Sequence, residues 1–466
     1  MSIENLQNYI SLLERHDQLA RVAAPADPLL EIAAITDRVC KQPGGGRALL
    51  FERPAGSRFA VATNLFGSLK RVCLALGIDN PDRLRVRMGE LLEKIPETDL
   101  SGLDRQLAGL PEFSRFAAIN PAGADRDLAT AAQPDLSLFP FLQNWPGDGS
   151  ACGYQRYITL PQVFTTSPGG SNPNCGLYRV QIRGPREAAI QWKTGSGAAR
   201  QAAEFATRGE RMPVAIVLGG DPAMLFSAML PLPGNLDETA FAGFLRGEAL
   251  RTATCDTVPL RVPTGAEVVI EGYVEAGAAV TEGPFGNHTG CYSPAAPAAL
   301  MRVTAIRHRP DAIVPATVVG PPPMEDCWMA VAWERLLLAF LQKLLPSLAD
   351  IHFPFEWVFH QSAIISLENP CPGMVREMAE KLWLLPWFAA ARMLVFVDAA
   401  CGAADLHAAA WQCINLPEYR HDLIHDAATG RTALDATGCR SIRDRVKMDD
   451  YIVRLVGRRW REYGLA

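Results

Sequence analysis

The chain has 466 residues, a formal net charge of −5, 48% hydrophobic and 20% charged residues. That length is more than one hydrophobic core serves, so two or three domains are expected; the composition excludes disorder, and the lack of excess basic charge argues against a nucleic-acid partner. No run of 18 apolar residues predicts a membrane span, the first fifteen residues do not read as a secretory signal, and 11 scattered cysteines without a Cys-x-x-Cys pair suit reduced thiols in a cytoplasmic protein.

In chain order, Ile3, Leu6, Ile10 and Leu13 recur at helical spacing and predict an opening amphipathic helix. A second helix is expected over 29–41, ended by Gly44-Gly-Gly46, then strands over 48–52 and 60–63 and helices over 69–76 and 81–94. From Pro121 the texture changes to short strands among Pro and Gly: 157–160, 177–182, 188–192, 214–218, 268–274, 300–305 and 313–318, with helices inserted over 198–208 and 238–246. Many short strands at this spacing suggest a sheet-rich barrel or sandwich. After Pro321-Pro-Pro323 helix and strand alternate: a helix over 324–345, strands over 351–358 and 363–367, a helix over 375–384, a strand over 393–397 and a helix over 406–413. That reads as βαβ units on a mainly parallel sheet. In the tail, Arg440, Arg443, Arg445, Lys447, Arg454, Arg458, Arg459 and Arg461 are interrupted by acids, which favours a solvated or subunit-facing helix.

Several stretches carry chemistry. Thr281-Glu-Gly-Pro-Phe-Gly-Asn-His-Thr-Gly-Cys-Tyr292 follows an alternating strand, and its glycines and proline shape a rigid turn from which Glu282, Asn287 and His288 project. Ala188-Ala-Ile-Gln-Trp-Lys-Thr-Gly-Ser-Gly-Ala-Ala-Arg200 reads strand, glycine loop, helix start, a weak anion-site signal that lacks both the dinucleotide fingerprint and the Walker lysine. His421 and His425 have the spacing of a helical metal pair, but no third ligand accompanies them and an ordinary helix face is expected. Gly219-Gly-Asp-Pro222 is read as a helix cap. Trp328, Phe353, Phe355, Trp357 and Phe359 are read first as core and second as an aromatic pocket.

Asn174-x-Gly-x-Tyr-Arg179, Trp192, Asp237-Glu-Thr-Ala-Phe-Ala-Gly-x-Leu-Arg-Gly247 and Glu282-Gly-Pro-Phe-Gly-x-His-Thr-Gly290, in that order, closely resemble the UbiD family of decarboxylases, with looser similarity at Trp145-Pro-x-Asp148 and Leu341-Gln-Lys-x-x-Pro346. The resemblance implies an α/β (α+β) chain: an N-terminal α/β domain (1–120), a middle split β-barrel of flavin-reductase type (121–320) and a C-terminal α/β oligomerisation domain with a helical tail (321–466). It implies prenylated FMN supplied by a flavin prenyltransferase, its phosphate bridged by Mn2+ and K+, and a homo-oligomer, dimer or hexamer. By position, Asn174 and Glu238 look like metal ligands, whose hard oxygens suit Mn2+. Leu177, Tyr178, Arg179, Gln191, Trp192, Lys193, Ser196 and Gly197 fall where the family lines the flavin, and Arg392 matches a basic position near it. Arg179 and Glu282 correspond to the family's arginine–glutamate pair, and Asn287 stands where the family has an acid that donates the proton. The chain departs from the pattern there, since an amide supplies no proton at neutral pH, and also at Gly195, where the family has a metal-binding histidine. The function implied is a non-oxidative, reversible decarboxylation of a small aromatic, heteroaromatic or α,β-unsaturated carboxylic acid; the alternative is a non-catalytic flavin-binding paralogue or partner subunit.

Overall fold

The computed structural model describes residues 3–96, 99–121, 128–230, 232, 236–388, 390–439, 446 and 448–464. The expectations for Arg440, Arg443, Arg445 and Lys447 lie outside the described residues. Helix and strand are mixed along the chain, in three main sheets.

The N-terminal sheet orders Leu19–Val22, Ala48–Phe51, Ala60–Thr63 and Ile313–Ala316. The last strand comes from far along the chain and pairs in parallel with Ala60–Thr63. The sequence reading assigned it to the middle sheet. Its residues are apolar and nearly all buried, and a short, evenly apolar run carries no periodicity that names its neighbour. Flanking helices include Leu6–Arg15, capped by Asn5, and Leu69–Leu76, capped by Ser68 and closed by Gly77 in the left-handed region.

The middle sheet has nine strands, every pairing antiparallel. Its spine runs Val180–Gly184, Glu187–Ile190, Ala296–His308, Ala266–Glu282, Met212–Gly219, Gln162–Thr166 and Pro173–Leu177. Met212–Gly219 is buried on both faces: Val214, Ile216 and Leu218 enter one core, Ala215 and Val217 another. This explains its unbroken apolar run, since a strand covered on both sides needs no polar alternation. The run read as one strand over 177–182 divides into Pro173–Leu177 and Val180–Gly184, with Tyr178 and Arg179 at the corner between them.

The C-terminal sheet orders Leu348–His352, Ser362–Leu367, Met393–Asp398, Arg431–Asp435 and Leu423–Asp426, parallel at its centre and antiparallel at both edges. The expected strand over 351–358 stops at His352, because Pro354 cannot donate to a ladder, and Phe355–Trp357 turns as a 3-10 helix. His421 lies in the short helix Tyr419–Asp422 and His425 on the strand Leu423–Asp426, so the two share no helix face. Asp221 caps its helix through Ala223 N at 2.8 Å, as expected. Phe353 is core, whereas Trp328, Phe355 and Phe359 are half-buried and Trp357 is exposed.

The three segments share one core. A single apolar cluster runs from Leu6 and Tyr9 through Phe226, Phe241 and Val269 to Leu336, Phe340 and Ala433.

Candidate active site

Arg179 sits at the corner before the strand Val180–Gly184, and Glu282 ends the strand Ala266–Glu282. Although 103 residues apart, they meet fork to fork: Arg179 Nε donates to Glu282 Oε1 at 2.9 Å and Nη2 to Oε2 at 2.7 Å. Glu282 is fully buried, while the Arg179 side chain keeps 22% of its surface open. Two parallel charge-assisted bonds fix both planes, and the guanidinium also lies 5.0 Å above the Phe285 ring.

The turn after Glu282 is strapped from behind. Asp148 accepts from Gly286 N at 2.8 Å through one oxygen and from Trp145 N at 2.9 Å through the other; burial nevertheless raises its carboxyl above the ordinary range. Trp145 packs so closely that a Cβ on Gly286 would fall 2.3 Å from its ring, and one on Gly320 2.5 Å away. Behind Arg179 and Phe285, the Tyr157 hydroxyl takes a bond from Gln181 at 2.8 Å, and burial followed by the nearby Glu282 charge pushes its ionisation well up. Tyr157 therefore stays neutral.

Asn287, one strand turn further, is committed to its own hairpin. Its Oδ1 accepts from Thr289 N at 2.9 Å and Thr289 Oγ1 at 2.7 Å, and its Nδ2 donates to Ser293 Oγ at 2.8 Å. Side-chain bonds two residues on are what make Asn a turn former.

The glycine loop adjoins Arg179 directly, since Gln191 N donates to Arg179 O at 3.3 Å. Tyr178 and Trp192 meet edge to face at 5.2 Å. Gln191 Oε1 and Trp192 Nε1 are buried with no hydrogen-bond partner, a deficit that native interiors rarely leave without a ligand or water. Ser196 caps the helix Gly197–Arg208 by accepting from Ala199 N at 3.2 Å. A Cβ on Gly197 would stand 2.0 Å from Asn174 Oδ1, so any side chain there would have to displace that amide. Leu177 is half-buried in the preceding strand, and Lys193 is exposed at the loop. Beside them lies an apolar groove of about 340 Å³, walled by Gln191, Trp192, Ala203, Met212, Val274 and Ala299. Arg179 and Glu282 do not line it.

Asn174 Nδ2 donates to Thr165 Oγ1 at 3.0 Å, which leaves its Oδ1 turned to Gly197. Glu238, first residue of the helix Glu238–Arg246, accepts from Cys175 N at 3.1 Å. Burial pushes the Glu238 carboxyl up to about 8. The two oxygens thus bracket one residue step of the same strand, but Gly195 brings no donor. Among the described residues no group of three or more His, Cys, Asp or Glu forms a metal cluster. The orphaned Gln191 and Trp192 atoms and the glycine cradle fit a flavin with its phosphate at the helix start; the protein's share of a metal site comes to two oxygens.

Arg392 is not joined to this set. It is exposed before Met393–Asp398, and its backbone bonds run to Gln361 and Thr432. Sequence reasoning missed Asp326 and His360. His288 Nδ1 lies 3.0 Å from Asp326 Oδ2, and the His360 ring stands 4.4 Å from it. His360 sits in the run of aromatics read first as core, and Asp326 lies in the first turn of the helix after the Pro321–Pro323 break; neither has a local signature.

Family models for the N-terminal, Rift-related and C-terminal domains of 3-octaprenyl-4-hydroxybenzoate carboxy-lyase match residues 10–91, 120–322 and 327–445. An uncharacterized protein of Archaeoglobus fulgidus is 36% identical over 412 residues, 88% of this chain and 84% of its own. Among solved structures, an evolved dimeric form of the UbiD-class enzyme HmfF from Pelotomaculum thermopropionicum, in complex with prFMN, superposes with a TM-score of 0.79 at 24% identity over 96% of this chain and 97% of that one. The closed form of the vanillic acid decarboxylase of Sedimentibacter hydroxybenzoicus gives 0.84 at 22% identity over 99% of both. At these identities the structural likeness is one of fold.

Proposed function

The chain belongs to the UbiD family of carboxy-lyases, and from that premise we propose that it is a decarboxylase of a small aromatic, heteroaromatic or α,β-unsaturated acid that uses prenylated FMN. The observation that carries this reading is the buried Arg179–Glu282 fork standing against a loop with unsatisfied Gln191 and Trp192 atoms. When bound, the prenylated flavin supplies an electron sink for the bond that releases CO2. The open part of Arg179 binds and orients the substrate carboxylate, and Glu282 holds the guanidinium in plane for it. Tyr178, Trp192 and Leu177 would border the bound ring and exclude water, and Ser196, Gly197 and Lys193 would hold its phosphate at the helix start. Asn174 and Glu238 would hold Mn2+ through hard oxygens, K+ would be the second cation, and Gly195 would add no ligand. Arg392 belongs to this reading only by its position in the family pattern.

The intact fork weighs against a non-catalytic paralogue, because a buried ion pair costs desolvation that an apolar pair would avoid. We propose the units 1–120, 121–320 and 321–466, a flavin prenyltransferase as supplier, a cytoplasmic location and a homo-oligomer. The helix Asp450–Arg459 buries none of its residues within the chain, and Trp411, Ile414 and Leu384 stand exposed on the same C-terminal unit, which supports assembly through it. Among the described residues no helix is long and apolar enough to cross a membrane.

The test is co-expression with a flavin prenyltransferase, mass and absorbance of the bound chromophore, then a decarboxylation and H/D-exchange screen of small unsaturated and aromatic acids. Prenylated FMN and turnover of at least one acid are expected, with Glu282→Gln lowering turnover by about 10²-fold through loss of the Arg179 orientation. A loaded wild type inert on all of them, or a Glu282→Gln variant as fast as wild type, contradicts the reading.

A further inference from the structure

Replacing a carbon–carboxylate bond by carbon–hydrogen requires a proton at the carbon that loses CO2. Two side chains of the turn are committed elsewhere: both ends of the Asn287 amide are bonded within its hairpin, and both oxygens of Glu282 are held by Arg179. The next residue differs. His288 Nδ1 faces Asp326 Oδ2 at 3.0 Å, and the other Asp326 oxygen accepts from Cys327 N at 2.9 Å, which fixes the carboxylate at the start of the helix Glu325–Leu344. A carboxylate only accepts, so the hydrogen of neutral His288 sits on Nδ1 and its Nε2 is left as the basic nitrogen. The same division of labour lets an aspartate orient a histidine in hydrolytic triads.

The surroundings single out this histidine. His360 meets it edge-on at 4.4 Å and Phe359 at 5.6 Å. His360 Nδ1 is buried without a partner, and burial, aided by His288 and Lys193, lowers its ionisation to about 4. His360 therefore stays neutral at pH 7 and does not compete for the proton. The charged and titratable groups around the pair are Glu325 and Cys327 on the helix beside Asp326, His360 from the 355–361 loop and Lys193 from the glycine loop, the last pairing with no carboxylate among the described residues. With 28% of its side chain exposed, His288 can be recharged by water.

We propose that His288, oriented by Asp326, is the acid–base group of this site. This rests on the decarboxylase reading above. In the forward direction, protonated His288 gives its Nε2 proton to the carbon that has released CO2 and is left as neutral imidazole. Water restores the proton; no electron leaves or enters.

The test uses the flavin-loaded protein, labelled with 15N at histidine. Long-range proton–nitrogen spectra should show neutral His288 with its hydrogen on Nδ1, a preference that Asp326→Asn abolishes. His288→Gln should lower decarboxylation and solvent-deuterium exchange by about 10²-fold or more and erase the fall in rate on the alkaline side of the pH–rate profile, with flavin absorbance and thermal midpoint kept. Asp326→Asn should retain part of the rate with an altered profile. A His288→Gln variant with the wild-type profile, or a His288 hydrogen on Nε2, overturns the proposal. If loaded wild type turns over no acid, the decarboxylase reading falls, while the histidine spectra still decide the pair.

Discussion

At the scale of single residues, the molecule places charge where water is absent and answers each charge locally. Glu282 is met by a guanidinium fork, and a lysine at 179 would supply a point charge but no second parallel donor. Glu267 is a contrasting case. It is fully buried, accepts from Ile313 N at 3.0 Å, and burial pushes its carboxyl up to about 7 despite Arg309 at 3.7 Å. A carboxyl whose folded value is raised holds its proton better folded than unfolded. Its contribution to stability is therefore complete below the unfolded value of about 4.3 and is lost as pH rises through 7. Glu267→Gln should become more stable relative to wild type as pH increases from 5 to 8, by up to about 3 kcal/mol, read by denaturant titration at each pH. A difference independent of pH would show that Glu267 is ionised throughout.

At the scale of elements, the 285–293 hairpin governs the site, and its glycines were legible only in part. The sequence Glu282-Gly-Pro-Phe-Gly announces a turn, but nothing local reveals that Gly286 must admit the Trp145 indole from 141 residues upstream. Gly286→Ala should cost about 1–3 kcal/mol by overpacking, whereas Gly184→Ala, which opens onto space, should stay within about 0.5 kcal/mol. Equal effects at both positions would remove the Trp145 contact as the reason. Helix ends were read well, because caps such as Asp237 and Ser196 act within three residues. The strand Ile313–Ala316 was misplaced because its partner lies some 250 residues away and leaves no trace in its own pattern. The His288–Asp326 contact escaped notice for the same reason: it joins a middle-sheet hairpin to a C-terminal helix.

For the whole molecule, a shared core makes one body of three matched sequence segments. Residues 1–120 alone would lack the fourth strand of their sheet and much of the cluster that covers Leu6 and Tyr9. The pairing of Arg179 with Glu282 is implied by the family resemblance, and the structure brings the two together beside the glycine loop, which sequence spacing alone did not place there. The most direct measurement is the crystal structure of the protein reconstituted with prenylated FMN. One flavin is expected with its ring in van der Waals contact with Arg179, Tyr178 and Trp192, its phosphate at the Gly197 end of the helix, and Gln191 Oε1 and Trp192 Nε1 newly bonded. A flavin bound elsewhere, or one that leaves Arg179 and Glu282 outside contact, would contradict that arrangement.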